Sequence, residues 1–227
     1  MNLDIIYQDE YLVAINKPHG LVVHRSDYIG DADVFAVQEL RNQVGQLVYP
    51  CHRIDRKTSG VLLFALDSEV NALMQKQFAE NQVKKKYLAI VRGYTDDSGW
   101  IDYPLTNEKG KVQEAITGYS KLKRTELDIP SGNFKTSRYS LVETYPQTGR
   151  LHQIRKHFAH ILHPIIGDRP HGCNKQNKLF KDRFEMTTMM LHAAEIVFNH
   201  PVTKKEVTIQ ANIHSEFSRM LNLMGWK

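Results

Sequence analysis

This sequence predicts a fold of intermixed strands and helices in one domain, on three observations. Apolar runs of strand length alternate with apolar stripes at helical spacing along the whole chain. Hydrophobic residues at 41% and charged residues at 24% are ordinary values for a packed globular chain and argue against disorder. The 227 residues contain no internal repeat, low-complexity segment or linker composition, so a single domain over 1–227 is expected. Other classes drop out quickly. No apolar run approaches the roughly 18 residues that a membrane span needs. The opening MNLDIIYQDEYL lacks the basic and then apolar regions of a secretory signal. Cys51 and Cys173 form no C-x-x-C pair and no disulfide framework, which suits a reducing cytoplasm.

The elements follow in order. Leu3 to Tyr7 and Tyr11 to Ile15 are β-like runs around a Gln8-Asp9-Glu10 turn, so a hairpin is expected. Asn16-Lys17-Pro18-His19-Gly20 is a turn punctuated by Pro and Gly, after which Leu21 to His24 resumes as a strand. Asp33 can cap a helix to about Val44, with Val34, Val37, Leu40 and Val44 along one face. Gly60 to Leu66 reads as a strand buried on both faces. Ser68 is placed as the cap of a second helix, with Leu73, Met74, Gln77 and Phe78 at helical spacing. Lys84-Lys85-Lys86-Tyr87 leads into the apolar strand Leu88 to Gly93. From Thr95 to Ser137 the chain is polar and reads as irregular, with short strands and mobile loops around Lys109-Gly110-Lys111 and Asp128 to Asn133. Arg138 to Tyr145 alternates as a strand. A helix from about Arg150 to Leu162 follows, stopped by Pro164, with Leu151, Ile154, Phe158, Ile161 and Leu162 as its apolar stripe. His152, Lys156, His160 and His163 fall on another face, and Arg155 lies between the two. Gly167-Asp168 and the polar run to Asp182 read as a loop. Met189 to Phe198 and Glu206 to Ala211 are the last strands, and a helix over Ser215 to Leu223 closes the chain.

The chemistry concentrates in Cys51 to Asp67, CHRIDRKTSGVLLFALD. His52, Arg53, Asp55, Arg56 and Lys57 crowd ionisable groups into a loop that runs straight into the core strand. Such a loop holds polar side chains at a fixed place on a rigid support. Asp55 is one carboxylate among three strong cations, so it should stay ionised, which suits a nucleophile or an electrostatic stabiliser better than a general acid. The alternative is an Asp that caps a turn and pairs with Arg53 or Arg56.

Several chemistries lack support. His152, His157, His160 and His163 contain no H-E-x-x-H pattern and have no Cys at ligand spacing, so no metal is expected. No G-x-x-x-x-G-K-S/T, G-x-G-x-x-G or G-x-S-x-G is present, which leaves nucleotide cofactors and the serine-hydrolase elbow without a motif. A net charge of +5, with eleven histidines in reserve, favours a polyanionic partner. What remains is an Asp in a basic loop, a Tyr at a strand start and an Arg on an amphipathic helix. Together these suit a site that holds an anionic polymer and presents one carboxylate to an electrophilic carbon.

His52-Arg53-Ile54-Asp55-Arg56-Lys57-Thr58-Ser59-Gly60-Val61-Leu62-Leu63 resembles the catalytic motif of the RluA-type pseudouridine synthases. Lys86 to Gly93 (KYLAIVRG), Thr148 to His157 (TGRLHQIRKH) and His163 to Asp168 (HPIIGD) are similar to further motifs of that family, as is Asn16-Lys17-Pro18-x-Gly20. The likeness covers nearly the whole chain in the family's order. Ile54 stands where Leu is usual, and no S4-type RNA-binding domain is expected ahead of the catalytic part. The resemblance implies an α+β fold: a mixed, mostly antiparallel β-sheet with flanking helices and a central RNA-binding cleft. It implies an isomerase that flips a uridine out of RNA and rejoins its uracil through C5, with no cofactor. Val23-His24-Arg25-Ser26 and Arg169-Pro170-His171-Gly172 are similar to a branch acting on tRNA, which implies the uridine at tRNA position 65 in the T stem.

The resemblance also implies the residue roles. Asp55 acts at the ribose, either by attack on C1′ or by assisting glycal formation. Tyr87 stacks on the flipped base and assists proton removal, and Arg155 pairs with Asp55. Arg53 fills the vacated space in the stem, and Ile154 supplies an apolar floor. His52, Arg56, Lys84, Lys85, Lys86 and His152 are expected to contact RNA. A monomer in the cytoplasm is expected, with tRNA as partner. Ribosomal RNA as substrate, or a non-catalytic RNA-binding protein of the same fold, are the alternatives. A phosphatase or glycosidase is disfavoured because no second acid is placed to help Asp55.

Overall fold

The structure is a computed structural model that describes residues 1–24, 34–131 and 133–226. In chain order it begins with β1 (Ile5–Gln8), β2 (Leu12–Lys17), α1 (Ala36–Val44), β3 (Tyr49–Pro50), β4 (Ser59–Ala65) and α2 (Ser68–Ala79). Next come β5 (Lys84–Arg92), β6 (Ser98–Asp102), β7 (Leu105–Thr106), β8 (Val112–Gln113), β9 (Ile116–Leu127) and β10 (Ser137–Pro146). The chain ends with α3 (Gln153–His160), α4 (Asn174–Phe184), β11 (Leu191–Asn199), β12 (Glu206–Gln210) and α5 (Ser215–Leu223). The α+β class with a mostly antiparallel sheet is therefore what the chain adopts. Its contacts define two compact units, Met1–Lys85 with Ala193–Ile213, and Lys86–His192 with His214–Lys227. No described helix is long and apolar enough to cross a membrane.

In the first unit β1 and β2 form the expected hairpin, and β2 pairs antiparallel with β4. Every residue of β4 is buried, as its unbroken apolar run requires. Its second residue must be glycine. Gly60 has φ +106°, and a Cβ there would lie 2.1 Å from the carbonyl oxygen of Ala193. The core gathers Leu12, Ala14, Leu63, Val70, Met74, Phe198 and Ile209, each worth about 1.5–3 kcal/mol where a large side chain is fully buried. Three expectations need correction. Asp67, not Ser68, caps α2, its Oδ1 accepting the Glu69 and Val70 amides at 2.8 Å each. Leu73 of the expected stripe is 45% exposed, while Met74 is fully buried. Leu21 to His24 contributes a single parallel bridge, Val22 to Phe35, in place of a strand. The predicted cap Asp33 lies outside the described residues. The helix itself starts at Ala36 after Phe35, with Val34 ahead of it and exposed.

In the second unit β5, β10, β9 and β6 lie side by side, all antiparallel. The largest correction is β9, a twelve-residue strand inside the stretch read as irregular. Its first half is buried around Thr117 and Tyr119, but its second half faces solvent, and cations there hide the period-2 signal. The second correction is α4, read as loop because Phe180 is its one fully buried apolar anchor. The third is α3, which runs Gln153–His160 only. Leu151 and Leu162, expected in its stripe, are 44% and 81% exposed. Ile154 and Phe158 do enter the core, with Ala89, Val91, Val142 and Ile165, and Tyr87 packs against them.

Candidate active site

Asp55 sits in the loop between β3 and β4, and the first unit ties that loop down at several points. Thr58 N–H donates to the Asp55 carbonyl at 3.0 Å, which closes a turn over the acid. Gly20 N–H donates to the Arg56 carbonyl at 2.7 Å, and Arg56 Nε returns a bond to the Gly20 carbonyl at 3.1 Å. The centre of this arrangement is Lys17, which is completely buried. Its Nζ donates to the carbonyls of Pro18 and Leu21 at 2.9 Å each and of Arg56 at 3.1 Å. Three carbonyl acceptors suit the donors of a lysine amine. Burial pushes its pKa down to about 7, against the upward pull of the Asp55 carboxylate. Sequence reasoning took Lys17 only as part of a turn.

His52, expected to contact RNA, is engaged with protein. Its ring stacks on Phe78 at 4.7 Å between centroids, and its Nε2 accepts the Leu63 amide at 3.0 Å. Burial, with a smaller push from Lys85, lowers it to about 3, so it is neutral and carries no charge for a phosphate. These contacts brace the loop against β4 and α2. Arg53 and Lys84 are exposed.

In the second unit Tyr87 is half-buried near the start of β5, opposite Thr144 of β10, and belongs to the core cluster that contains Ile154. Arg155 is buried. Its Nε and Nη2 donate to Asp168 Oδ2 and Oδ1 at 2.8 and 2.7 Å, a bidentate pair whose side chains are 8% and 1% exposed. Asp168 is the functional candidate that sequence reasoning missed. The available signal was chemical, because a guanidinium that buries itself requires a carboxylate. The loop around Asp168 is built to hold it. Asn177 Nδ2 donates to its carbonyl at 2.6 Å and Asn177 Oδ1 accepts Gly167 N–H at 2.8 Å. A Cβ on Gly172 would lie 2.0 Å from the same carbonyl.

The start of α3 explains why the helix is shorter than its periodicity suggests. Gln153 Oε1 accepts the Thr148 hydroxyl at 2.7 Å and the Arg150 amide at 3.0 Å, while its Nε2 donates to the Ile116 carbonyl at 3.0 Å. Arg150 and Leu151 are thereby held in the preceding turn, and His152 stands at the cap with φ 57°. The expected histidine face is mostly engaged with protein. His152 Nδ1 lies 3.0 Å from His171 Nε2, His160 stacks on Tyr103 at 3.6 Å, and His163 Nδ1 donates to the Arg92 carbonyl at 2.8 Å. Among the described residues no three His, Cys, Asp or Glu side chains converge as metal ligands.

Comparison with known proteins adds a second line. Residues 11–160 match the RNA pseudouridylate synthase family, a segment that contains Asp55, Tyr87 and Arg155. The chain is 44% identical to tRNA pseudouridine synthase C of Vibrio cholerae, covering 99% of this chain and 97% of that protein. It is 45% identical to tRNA pseudouridine synthase C of Pasteurella multocida, covering 100% and 98%. Among solved structures, human RNA Pseudouridylate Synthase Domain Containing 4 superposes with a TM-score of 0.76 at 26% identity, covering 98% of this chain and 93% of that one.

Proposed function

Since the chain belongs to the RluA-type RNA pseudouridylate synthases, we propose that it is a tRNA isomerase, converting the uridine at position 65 of the T stem to pseudouridine. The observation that carries this reading is likeness at 44–45% identity, over essentially the whole chain, to proteins that act on tRNA. The reaction breaks the bond from ribose C1′ to uracil N1, rotates the base, and forms a bond from C1′ to C5. The C5 proton leaves and N1 gains one, so atoms balance with no redox change.

Each step asks for a residue of the kind present. The target base leaves its stack at a cost of a few kcal/mol, and Arg53, exposed on the Asp55 loop, takes up the vacated space. Tyr87 stacks on the flipped uracil, above an apolar floor that includes Ile154. Asp55 acts at the sugar, by attack on C1′ or by drawing the C2′ proton. Arg155, with its planar guanidinium fixed by Asp168, is the basic residue of the proposed set. Lys84, Lys85 and Lys86 meet phosphates, which makes affinity salt-dependent. The protein acts as a monomer in the cytoplasm.

The test is tritium release from C5-labelled uridine in an unmodified tRNA transcript, followed by mapping of the product. Wild-type protein should yield one pseudouridine at position 65. Asp55→Asn should bind the transcript and yield none. Turnover by that variant removes Asp55 from the chemistry, and product found only in ribosomal RNA removes tRNA as substrate.

A further inference from the structure

A cavity of about 530 Å³ lies in the second unit at the end of β5, lined by Arg92, Tyr94, Phe134, Lys135, Arg138 and Gln176 among others. That volume is in the range of small-ligand sites. It is remote from Tyr87, because the strand from Tyr87 to Arg92 climbs roughly 17 Å at about 3.3 Å per residue. None of the six belongs to the proposed isomerisation machinery.

The charges of the six divide into used and unused. Arg138 is paired with Glu126 at 3.1 Å. The guanidinium groups of Arg124 and Arg138 lie over the ring of Tyr94, at 5.3 and 5.2 Å from its centroid, and its hydroxyl donates to Glu126 at 3.2 Å. Tyr94 is therefore already engaged by cations. Arg92 has no carboxylate among the described residues; its Nη1 donates to the Cys173 thiol at 3.9 Å. Lys135 likewise has no acidic partner among them. Phe134 is 69% exposed at the mouth, an unusual place for a phenylalanine unless a flat apolar face is meant to cover it. The floor is rigid, since Gln176 is 2% exposed and accepts the hydroxyl proton of the buried Tyr139 at 2.6 Å.

We infer that this cavity binds one unpaired nucleotide of the RNA substrate, outside the reacting uridine, with Phe134 stacking on its base and Arg92 and Lys135 meeting its phosphate. An exposed ring beside two cations without counter-charges is the combination that single-stranded nucleic acid selects. The inference rests on the tRNA reading above and adds a second anchor to it.

The experiment measures binding of an unmodified tRNA transcript, across a salt series, to wild-type protein and to Phe134→Ala and Lys135→Ala. Pseudouridine formation at saturating RNA is read in parallel. The stacking loss should weaken Phe134→Ala at least about fivefold. Lys135→Ala should weaken binding and reduce the slope of log affinity against log salt by about one. Maximal rate and thermal midpoint should match wild type in both, since both side chains are exposed. Wild-type affinity in either variant overturns the nucleotide site. Absence of pseudouridine from wild-type protein overturns instead the reading on which it rests.

Discussion

Asp55 and Arg155 are fixed by opposite devices. The Asp55 loop is held by main-chain groups, with one buried ammonium gathering the carbonyls of Pro18, Leu21 and Arg56. Arg155 is held by a side chain, the bidentate carboxylate of Asp168. The first device fixes a backbone path and leaves the side chains on it directed by that path. The second fixes the plane of a guanidinium. Under the proposed mechanism, a carboxylate acting at a sugar needs its loop in place, whereas a guanidinium presenting one edge needs its orientation set.

The contrast breaks most visibly at Asp168. Asp168→Ala removes the bidentate carboxylate from a buried guanidinium and should cost about 3–5 kcal/mol, read as a drop in urea midpoint. Asp168→Asn keeps the shape and one acceptor, so it should fold better than the alanine variant while losing turnover. Equal stability of Asp168→Ala and wild type ends the argument that Arg155 depends on this partner.

Lys17 sharpens the contrast through pH. Its folded pKa of about 7 lies below the ordinary lysine value of 10.5, so between these values the unfolded chain binds the extra proton. Stability contributed by this group therefore rises with pH across that window, by at most about 1.4 kcal/mol per pH unit. Below pH 7 the full cost of burying the charge is present. Lys17→Met should lose this rise, so denaturation midpoints of the two proteins from pH 6.5 to 9.5 should diverge in favour of wild type. Parallel profiles contradict a lysine that titrates there. The Met variant should also lose activity, since it no longer gathers the carbonyls that shape the Asp55 loop.

The smallest effect is expected at Asp67, which touches neither device. Asp67→Ala removes the cap of α2 and should cost about 1 kcal/mol with pseudouridine formation unchanged at 25 °C. A large loss of activity there would show that α2, through Phe78 and His52, bears on the loop more strongly than the contacts imply.

These anchors were unequally legible. The strand β4 could be read directly, because a continuous apolar run next to a charged loop leaves few other structures. Helix α4 could not, since NKQNKLFKDRF shows one strong anchor, and the burial of Gln176 depends on Tyr139 across the fold. Strand β9 was hidden by the lysines and arginine on its exposed half. Asp55, Tyr87 and Arg155 are proposed from motifs, whereas Lys17 and Asp168 stand in motifs that assign them no role. Both act through partners that adjacent residues do not reveal: carbonyls gathered by a turn in one case, an arginine thirteen positions away in the other. The inward turn of His52 was equally unreadable, because its acceptor role depends on the Leu63 amide arriving from the next strand.

The two cysteines stand in sharply different surroundings. Burial lifts the Cys51 thiol to about 12, which keeps it protonated and inert toward alkylating reagents at neutral pH. Cys173 is partly accessible and rests against Arg92 at the rim of the cavity. A maleimide dye should therefore attach once per chain, without mutagenesis, and report by its emission on whatever enters beside it.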